Sequence, residues 1–171
     1  LAELVLPQIF ELSRISGQLP FDTSRSTFGL LVEWYLVRKA SELSSICPNN
    51  PHWLEIQKRR EQRPYQGGYV KEPKVGMHED LAVFDFRSLY PSIIVSYNIS
   101  PETLNVKNKT IFKVPGSKNF FTKEQGFVSL VVKNLIEQRI KLKTELKKQK
   151  SGTDRYKQLN EQQISLKILC N

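Results

Sequence analysis

Apolar side chains recur at helical spacing in the first quarter of the chain. The pattern predicts a helix over residues 1–12, in which Pro7 limits the start or bends the axis. A second helix is predicted from about Asp22 to about Leu43, because capping residues precede a series of apolar positions. Those positions are Leu30, Leu31, Trp34, Val37 and Ala40. Prolines at 48 and 51 end it, and the basic segment up to about Arg63 predicts a surface loop or a short helix.

A continuous apolar run, rather than a periodic one, occupies the middle of the chain. Residues 81–84 lead directly into Asp85, and Pro91 suits the first turn of a helix, so we predict a buried strand that delivers Asp85 to a strand-to-helix junction. Taken alone, an aspartate in that place is more often a helix cap. Upstream, Gly67 and Gly68 predict a tight turn that joins a short strand ending near Pro73, and alone this would be a hairpin turn.

The last third of the chain predicts two helices. Residues 104–121 first predict strand fragments and loops, and the helical pattern begins at Gly126. Arg139, Lys143 and Lys147 follow one another at four-residue steps along one face. The second helix is predicted to begin near Asp154, and the short connection favours an antiparallel helical hairpin. A basic hairpin without context is most often a solvated arm or the tip of a coiled coil.

Composition and charge indicate the general class of protein and the chemical type of its partner. With 171 residues, 39% of them hydrophobic and 25% charged, the chain has the makings of one ordinary packed domain. No apolar run approaches the roughly 18 residues of a membrane span, so we expect no membrane association. Cys47 and Cys170 suit neither a zinc site nor a disulfide framework, which favours a cytoplasmic location. The net charge of +9 favours a polyanionic partner, and residues 133–157 hold nine Lys or Arg against three acidic residues.

Four stretches carry a resemblance to one enzyme family. Asp85-Phe86-Arg87-Ser88-Leu89-Tyr90-Pro91-Ser92-Ile93-Ile94 resembles motif A of the family B (alpha-like) DNA polymerases, Asp-x-x-Ser-Leu-Tyr-Pro-Ser-Ile-Ile, at every fixed position. Tyr65-Gln66-Gly67-Gly68 resembles their Tyr-x-Gly-Gly element, and Lys167-Ile168-Leu169-Cys170-Asn171 resembles the opening of motif B, Lys-x-x-x-Asn-Ser-x-Tyr-Gly. Residues 22–26, followed by 31–40, are similar to the segment that links exonuclease and polymerase domains in archaeal members. The resemblance covers about 12–171, which is only the middle of such a polymerase.

The resemblance implies a role for each matching residue. Asp85 would be a catalytic carboxylate that holds a metal ion, together with the main-chain carbonyl of Phe86. The nucleotide would contact the residues Ser88, Leu89, Tyr90, Arg139, Lys143, Lys167 and Asn171. The DNA-binding residues would be Tyr65, Gly67 and Gly68. Tyr90 would lie beneath the sugar and exclude a 2′-hydroxyl. Gln162 departs from the family, because many archaeal relatives carry arginine there.

The same resemblance implies the fold and the division of the chain. We expect an α+β fold in which antiparallel palm strands carry Asp85 and a two-helix hairpin forms the fingers. Residues 1–63 would be a helical linker from the exonuclease side, 64–125 a palm segment with motif A, and 126–171 the fingers hairpin that ends in motif B.

The implied function is template-directed transfer of deoxynucleotides to a primer 3′-hydroxyl with two Mg²⁺ ions. The family's second carboxylate motif, Asp-Thr-Asp, does not occur in the 171 residues. We therefore expect no activity from this chain alone, and we expect a partner that carries that motif and the thumb, besides primer-template DNA and deoxynucleoside triphosphates. An intein, a split gene or a truncation would each explain an end at motif B. Alternatives are a non-catalytic DNA-binding module derived from a polymerase and an unrelated helical interaction protein.

Overall fold

The computed structural model describes residues 2–62, 67–86, 88–106 and 111–170. In these ranges the helices are α1 (Ala2–Ser16), α2 (Pro20–Arg25), α3 (Phe28–Glu42), α4 (Trp53–Glu61), α5 (Leu89–Ser96), α6 (Phe127–Leu146) and α7 (Asp154–Cys170). A 3₁₀ helix spans Pro101–Thr103, and the strands are β1 (Ile111–Lys113) and β2 (Phe120–Thr122). The chain forms two units, of which the first comprises Leu1–Ile46 with Phe86–Asn171 and the second comprises Cys47–Asp85.

The core of the first unit lies among α1, α3, α6 and α7. Each of these helices contributes two buried apolar residues, which are Leu12, Ile15, Leu31, Tyr35, Val131, Leu135, Leu166 and Leu169. Removal of this apolar surface from water is the main driving force for the packing. Helices α6 and α7 pack against each other across a short connection, at which Arg155 lies 3.9 Å from Glu145. The predicted helical hairpin is therefore present.

The first three helices depart from the predicted bounds. Helix α1 continues to Ser16, with Pro7 inside it, and ends where Gly17 adopts a φ of +80° and donates its N–H to the Ser13 carbonyl at 2.8 Å. The single helix predicted over about 22–43 is two helices, because Ser26 and Thr27 are extended between them. Thr27 then caps α3 by accepting a hydrogen bond from the Leu30 N–H at 3.3 Å.

The small sheet has two antiparallel strands. β1 pairs with β2 in the register Ile111↔Thr122, Phe112↔Phe121 and Lys113↔Phe120. The strand fragments predicted within 104–121 are thus present, and the α+β class is confirmed as a helix-rich chain with a small antiparallel sheet. Within the described ranges, no helix has the length and apolar character that crossing a membrane requires.

The second unit corrects two predicted strands. Apart from α4, its described residues form neither helix nor strand, so the strand ending near Pro73 and the buried strand over 81–84 are absent there. Leu81, Val83 and Phe84 are 74%, 92% and 92% exposed. The physical reason is that a strand bonds its N–H and C=O groups to a neighbouring strand, and none of the described residues supplies one.

Candidate functional site

The first unit contains motif A from Phe86 onward, and this part includes the start of α5. Ser88, the residue before the helix, has φ 50° and ψ 54°, a left-handed conformation that is uncommon outside glycine. The Ser88 carbonyl accepts the Ser92 N–H at 2.9 Å. The next two N–H groups, of Leu89 and Tyr90, head the helix and have no intrahelical acceptor, and Pro91 has no N–H to satisfy. This end of α5 therefore presents two backbone donors that the helix itself does not satisfy, together with the positive end of the helix dipole.

Two cations of α6 face this helix start. Arg139 and Lys143, one turn apart, line a small pocket of about 90 Å³ together with Ser88. The remaining lining residues are Ser92, Ile136, Ile140 and Cys170. The structure thus brings together three residues that the sequence assigned to nucleotide binding, although more than 50 positions separate Ser88 from Arg139.

The electrostatics of the pocket favour an anion. The Arg139 Nε is buried and has no hydrogen-bond partner within the described part of the chain. A buried donor without a partner costs free energy, which an incoming acceptor recovers. Burial raises the pKa of Cys170 to about 11, and the Arg139 cation opposes that rise. Because the thiol stays neutral at physiological pH, it does not compete with an anion for Arg139.

Other predicted residues lie elsewhere. Lys167 is exposed on α7 and does not line the pocket. Leu89 and Tyr90 are 42% and 74% exposed at the head of α5. Gln162 donates from Nε2 to the Glu11 Oε1 of α1 at 3.3 Å. Tyr65 and Asn171 fall outside the described residues.

The two glycines predicted to contact DNA lie in the second unit. Gly67 and Gly68 are exposed and are not among the glycines with positive φ in the described residues. A Cβ atom at either position would meet no described atom within 4 Å. Neither glycine is therefore required by the local backbone of the second unit.

The pocket also contains residues that sequence reasoning missed. Ser92 follows Ser88 by four positions, so the helical period places it on the same face of α5, and that signal was available. Ile136 and Ile140 flank Arg139 on α6, where an apolar residue predicts packing and not ligand contact. Cys170 has no such signal, because its position depends on how α7 packs on α6.

The metal-ligand prediction concerns Asp85 and Phe86. Among the described residues, no three His, Cys, Asp or Glu side chains gather as a site for a metal ion. Asp85 is exposed and ends the second unit, and Phe86 begins the described part of the first unit that follows it in the chain. A carboxylate and a neighbouring carbonyl are hard oxygen donors, the type that Mg²⁺ prefers, so their chemistry fits that ion.

Comparison with known proteins shows which family the chain belongs to. The family model for DNA polymerase family B matches residues 24–171. DNA polymerase 1 of Pyrococcus abyssi is 44% identical over 167 residues, which are 96% of this chain and 21% of that protein. A DNA polymerase of Thermococcus gorgonarius is 43% identical with the same coverage.

A solved structure gives the same result. The family B DNA polymerase from the hyperthermophilic archaeon Pyrobaculum calidifontis matches with a TM-score of 0.79 and 34% identity, over 99% of this chain and 22% of that one. This chain belongs to DNA polymerase family B. It spans about a fifth of the length of the relatives that it matches.

Proposed function

We propose that this chain is the nucleotide-binding and first-metal part of a DNA-directed DNA polymerase. In the three-part division, 1–63 leads into the palm, 64–125 is palm and 126–171 is the fingers hairpin. The observation that carries the proposal is the pocket in which Ser88 meets Arg139 and Lys143. Family membership supplies the reaction, which is transfer of a deoxynucleotide to a primer 3′-hydroxyl with release of pyrophosphate.

The pocket suits the phosphates of a nucleotide and not the whole molecule. Its volume of about 90 Å³ is below the roughly 300–1,000 Å³ of sites that enclose a complete small ligand. The head of α5 offers backbone donors, while Arg139 and Lys143 offer positive charge from the opposite helix. Such donors stabilise the negative charge that develops on a departing pyrophosphate. Lys167, on α7, and Asn171 would add further contacts.

Tyr90 would set the sugar preference. It is the second residue of α5 and its side chain is 74% exposed, so a ligand held at the helix start can reach the ring. A bulky aromatic ring beneath the sugar leaves no room for a 2′-hydroxyl. The proposed substrates are therefore deoxynucleoside triphosphates.

Asp85 and the Phe86 carbonyl would hold Mg²⁺. When bound, a pair of these ions stabilises the entering and leaving oxygens of phosphoryl transfer. The chain's own part is to present the Asp85 carboxylate three residues before Ser88. The family's Asp-Thr-Asp motif does not occur in these 171 residues, and we propose that the segment that carries it and the thumb supplies the second carboxylate.

Primer-template DNA is the proposed macromolecular partner. Tyr65, Gly67 and Gly68 would contact the template strand. Lysines on α6 and on the α6–α7 connection, including Lys143, Lys147 and Lys148, are exposed, and they would favour a polyanion nearby.

Primer extension with Mg²⁺ and deoxynucleotides tests the proposal. The chain is assayed alone and together with a polymerase segment that supplies the Asp-Thr-Asp motif and thumb. We expect extension only in the mixture, and its loss in Asp85→Ala. Arg139→Ala should lower kcat/KM for the nucleotide by roughly 100-fold, because one preorganised charge contact is removed. Lys118→Ala, an exposed lysine outside the pocket, is the matched control and should keep full activity.

A non-catalytic DNA-binding module is the second candidate. The observation that favours it is the exposed basic surface of α6 and its connection, which requires no metal. If the mixture stays inactive while the chain binds primer-template with a steep salt dependence, this candidate replaces the first.

A further inference from the structure

The first turn of α6 is bound by side chains that belong to another segment. Gly126, the residue before the helix, provides no side-chain cap. Three residues that follow α5, namely Asn98, Ser100 and Glu102, supply the acceptors instead. We call this group the cap cluster. The first N–H groups of a helix lack intrahelical partners, so acceptors from another segment fix both the end of the helix and its direction.

Asn98 is the centre of the cap cluster. Its Oδ1 accepts the Gly126 N–H at 2.8 Å and the Ser129 hydroxyl at 2.5 Å. Its Nδ2 donates to the Thr122 carbonyl at 2.7 Å and also to the Glu124 carbonyl. The residue is 6% exposed and has a φ of 53°. One buried amide therefore joins the end of α5, the end of β2 and the start of α6.

Ser100 and Glu102 complete the cap. The Ser100 Oγ accepts the Val128 N–H at 3.1 Å and donates to the Glu102 carboxylate at 2.7 Å. The Glu102 Oε1 in turn accepts the Phe127 N–H. A carboxylate at this end also complements the helix dipole.

The close approach explains the glycine at 126. A Cβ atom at Gly126 would lie 2.6 Å from the Ser100 Cβ and 2.9 Å from the Thr103 Cγ2, distances that real Cβ atoms essentially never show. The packing is therefore tight as well as hydrogen-bonded, and the direction of α6 at its first residue has little freedom.

The cap cluster lies at one end of α6 and the pocket cations lie further along it. Arg139 is twelve residues beyond Phe127, or about 18 Å along the axis, so a 10° change in helix direction at the cap moves Arg139 by about 3 Å. A displacement of that size is comparable to a hydrogen-bond length, and it would separate Arg139 from Ser88 at the head of α5.

We infer that Asn98, Ser100 and Glu102 are positioning residues, which hold α6 in the direction that keeps Arg139 and Lys143 over the phosphate-binding start of α5. This inference rests on the proposed function for its consequence in catalysis. The geometric part stands on the contacts alone. A cap that only added stability would leave the relation of α6 to α5 unchanged when one of its members is removed.

Pulsed dipolar spectroscopy on the chain tests the geometric part. Nitroxide labels are placed at Ser96→Cys, the last residue of α5, and at Lys147→Cys, the first residue after α6. Both sites are exposed, and both native cysteines are changed to alanine. We expect the distance distribution to shift or broaden by about 3 Å or more in Asn98→Ala and Glu102→Ala. Glu102→Gln keeps the acceptor oxygen and should restore the parent distribution.

Asn105→Ala is the matched control. Asn105 donates to the Asn119 side chain at 3.0 Å and accepts the Phe120 N–H at 3.0 Å, but these bonds do not involve α6. The parent distribution should persist in this variant. Identical distributions in the parent and in the Asn98 and Glu102 alanine variants would overturn the inference.

Nucleotide kinetics in the reconstituted polymerase test the consequence. We expect KM for the deoxynucleotide to rise about tenfold in Asn98→Ala and Glu102→Ala, with kcat reduced less, and to recover in Glu102→Gln. A lower melting temperature with an unchanged KM would overturn the positioning role. If the parent mixture does not extend a primer at all, the proposed function fails, and the spectroscopic result still decides whether the cap cluster directs α6.

Discussion

The two units of the chain use apolar residues in opposite ways. In the first unit, Leu31, Val131 and Leu159 are each 1% exposed. In the second unit, Val75, Met77 and Val83 are at least 92% exposed, although they are apolar to a similar degree. The difference teaches that apolar character alone does not make a core. A helix satisfies its own backbone groups and then needs only a packing face, whereas a strand needs both a neighbouring strand and a packing face.

The largest effect should come from truncating the core of the first unit. Leu31→Ala should lower the free energy of unfolding by about 2–5 kcal/mol, because it removes buried methyl groups and leaves a cavity. Leu81→Ala makes the same chemical change in the second unit at a residue that is 74% exposed, and it should change stability by less than about 0.5 kcal/mol. Urea denaturation measures both. Equal losses would show that the second unit has a core of its own in solution.

The reactivity of the two cysteines toward an alkylating reagent tests the difference in burial between the two units. Burial raises the pKa of Cys170 to about 11, so at pH 8 its thiolate fraction is roughly 100-fold below that of an ordinary thiol. Cys47, in the second unit, is exposed. We expect iodoacetamide to label Cys47 at least 100-fold faster than Cys170, as followed by mass spectrometry.

In Arg139→Ala the pKa of Cys170 should rise further, because the cation that lowers it is gone. Comparable labelling rates in the parent chain would contradict the burial of Cys170.

Glycine substitutions compare close packing with open space. Gly126→Ala should destabilise the chain by about 1–3 kcal/mol, because the new methyl group overlaps Ser100 and Thr103. Gly68→Ala meets nothing within 4 Å and should change stability by less than about 1 kcal/mol. Thermal unfolding of the two variants provides the measurement. A neutral Gly126→Ala would mean that the start of α6 yields easily.

The smallest effect concerns pH. Partial burial raises the pKa of Glu102, but hydrogen bonds from the Ser100 hydroxyl and the Phe127 N–H outweigh it, and the net pKa is lowered. Because the folded-state pKa lies below the unfolded value of about 4.3, the contribution is complete above that value and is lost as pH falls through the folded pKa. The expected size is below about 1 kcal/mol. Urea midpoints between pH 3 and 7 should fall less steeply in Glu102→Gln than in the parent. If the urea midpoints of the parent and of Glu102→Gln depend on pH in the same way, the Glu102 carboxylate does not cap α6.

The helical hairpin of the first unit follows from the sequence because its signals are local. Gly126 and Asp154 marked the starts of α6 and α7, and the structure begins the helices at Phe127 and Asp154. The prediction of a buried strand over 81–84 was wrong, because an apolar run does not show whether a neighbouring strand is present. The apolar run indicates a segment that needs a neighbouring strand, and only the three-dimensional contacts show whether such a strand is present.

In the candidate site too, some residues could be identified from the sequence and others only from the structure. The resemblance to the polymerase family selected Ser88, Arg139 and Lys143, and they line one pocket. The roles of Asn98, Ser100 and Glu102 could not be identified from the sequence, because their partners lie 25 to 31 positions later in the chain. Asparagine, serine and glutamate in a loop are unremarkable in composition. Their partners are known only once the chain has folded.

The cap cluster also bears on the order in which the chain folds. Its contacts close a loop of about 30 residues, and the entropic cost of closure grows only slowly with loop length. Helix nucleation is the costly step, and external acceptors at the first turn reduce that cost for α6. The cap residues precede α6 in the chain, so the acceptors for its first turn are already synthesised when Phe127 is added. The start of α6 therefore depends on residues made before it, whereas its packing partner α7 is made after it.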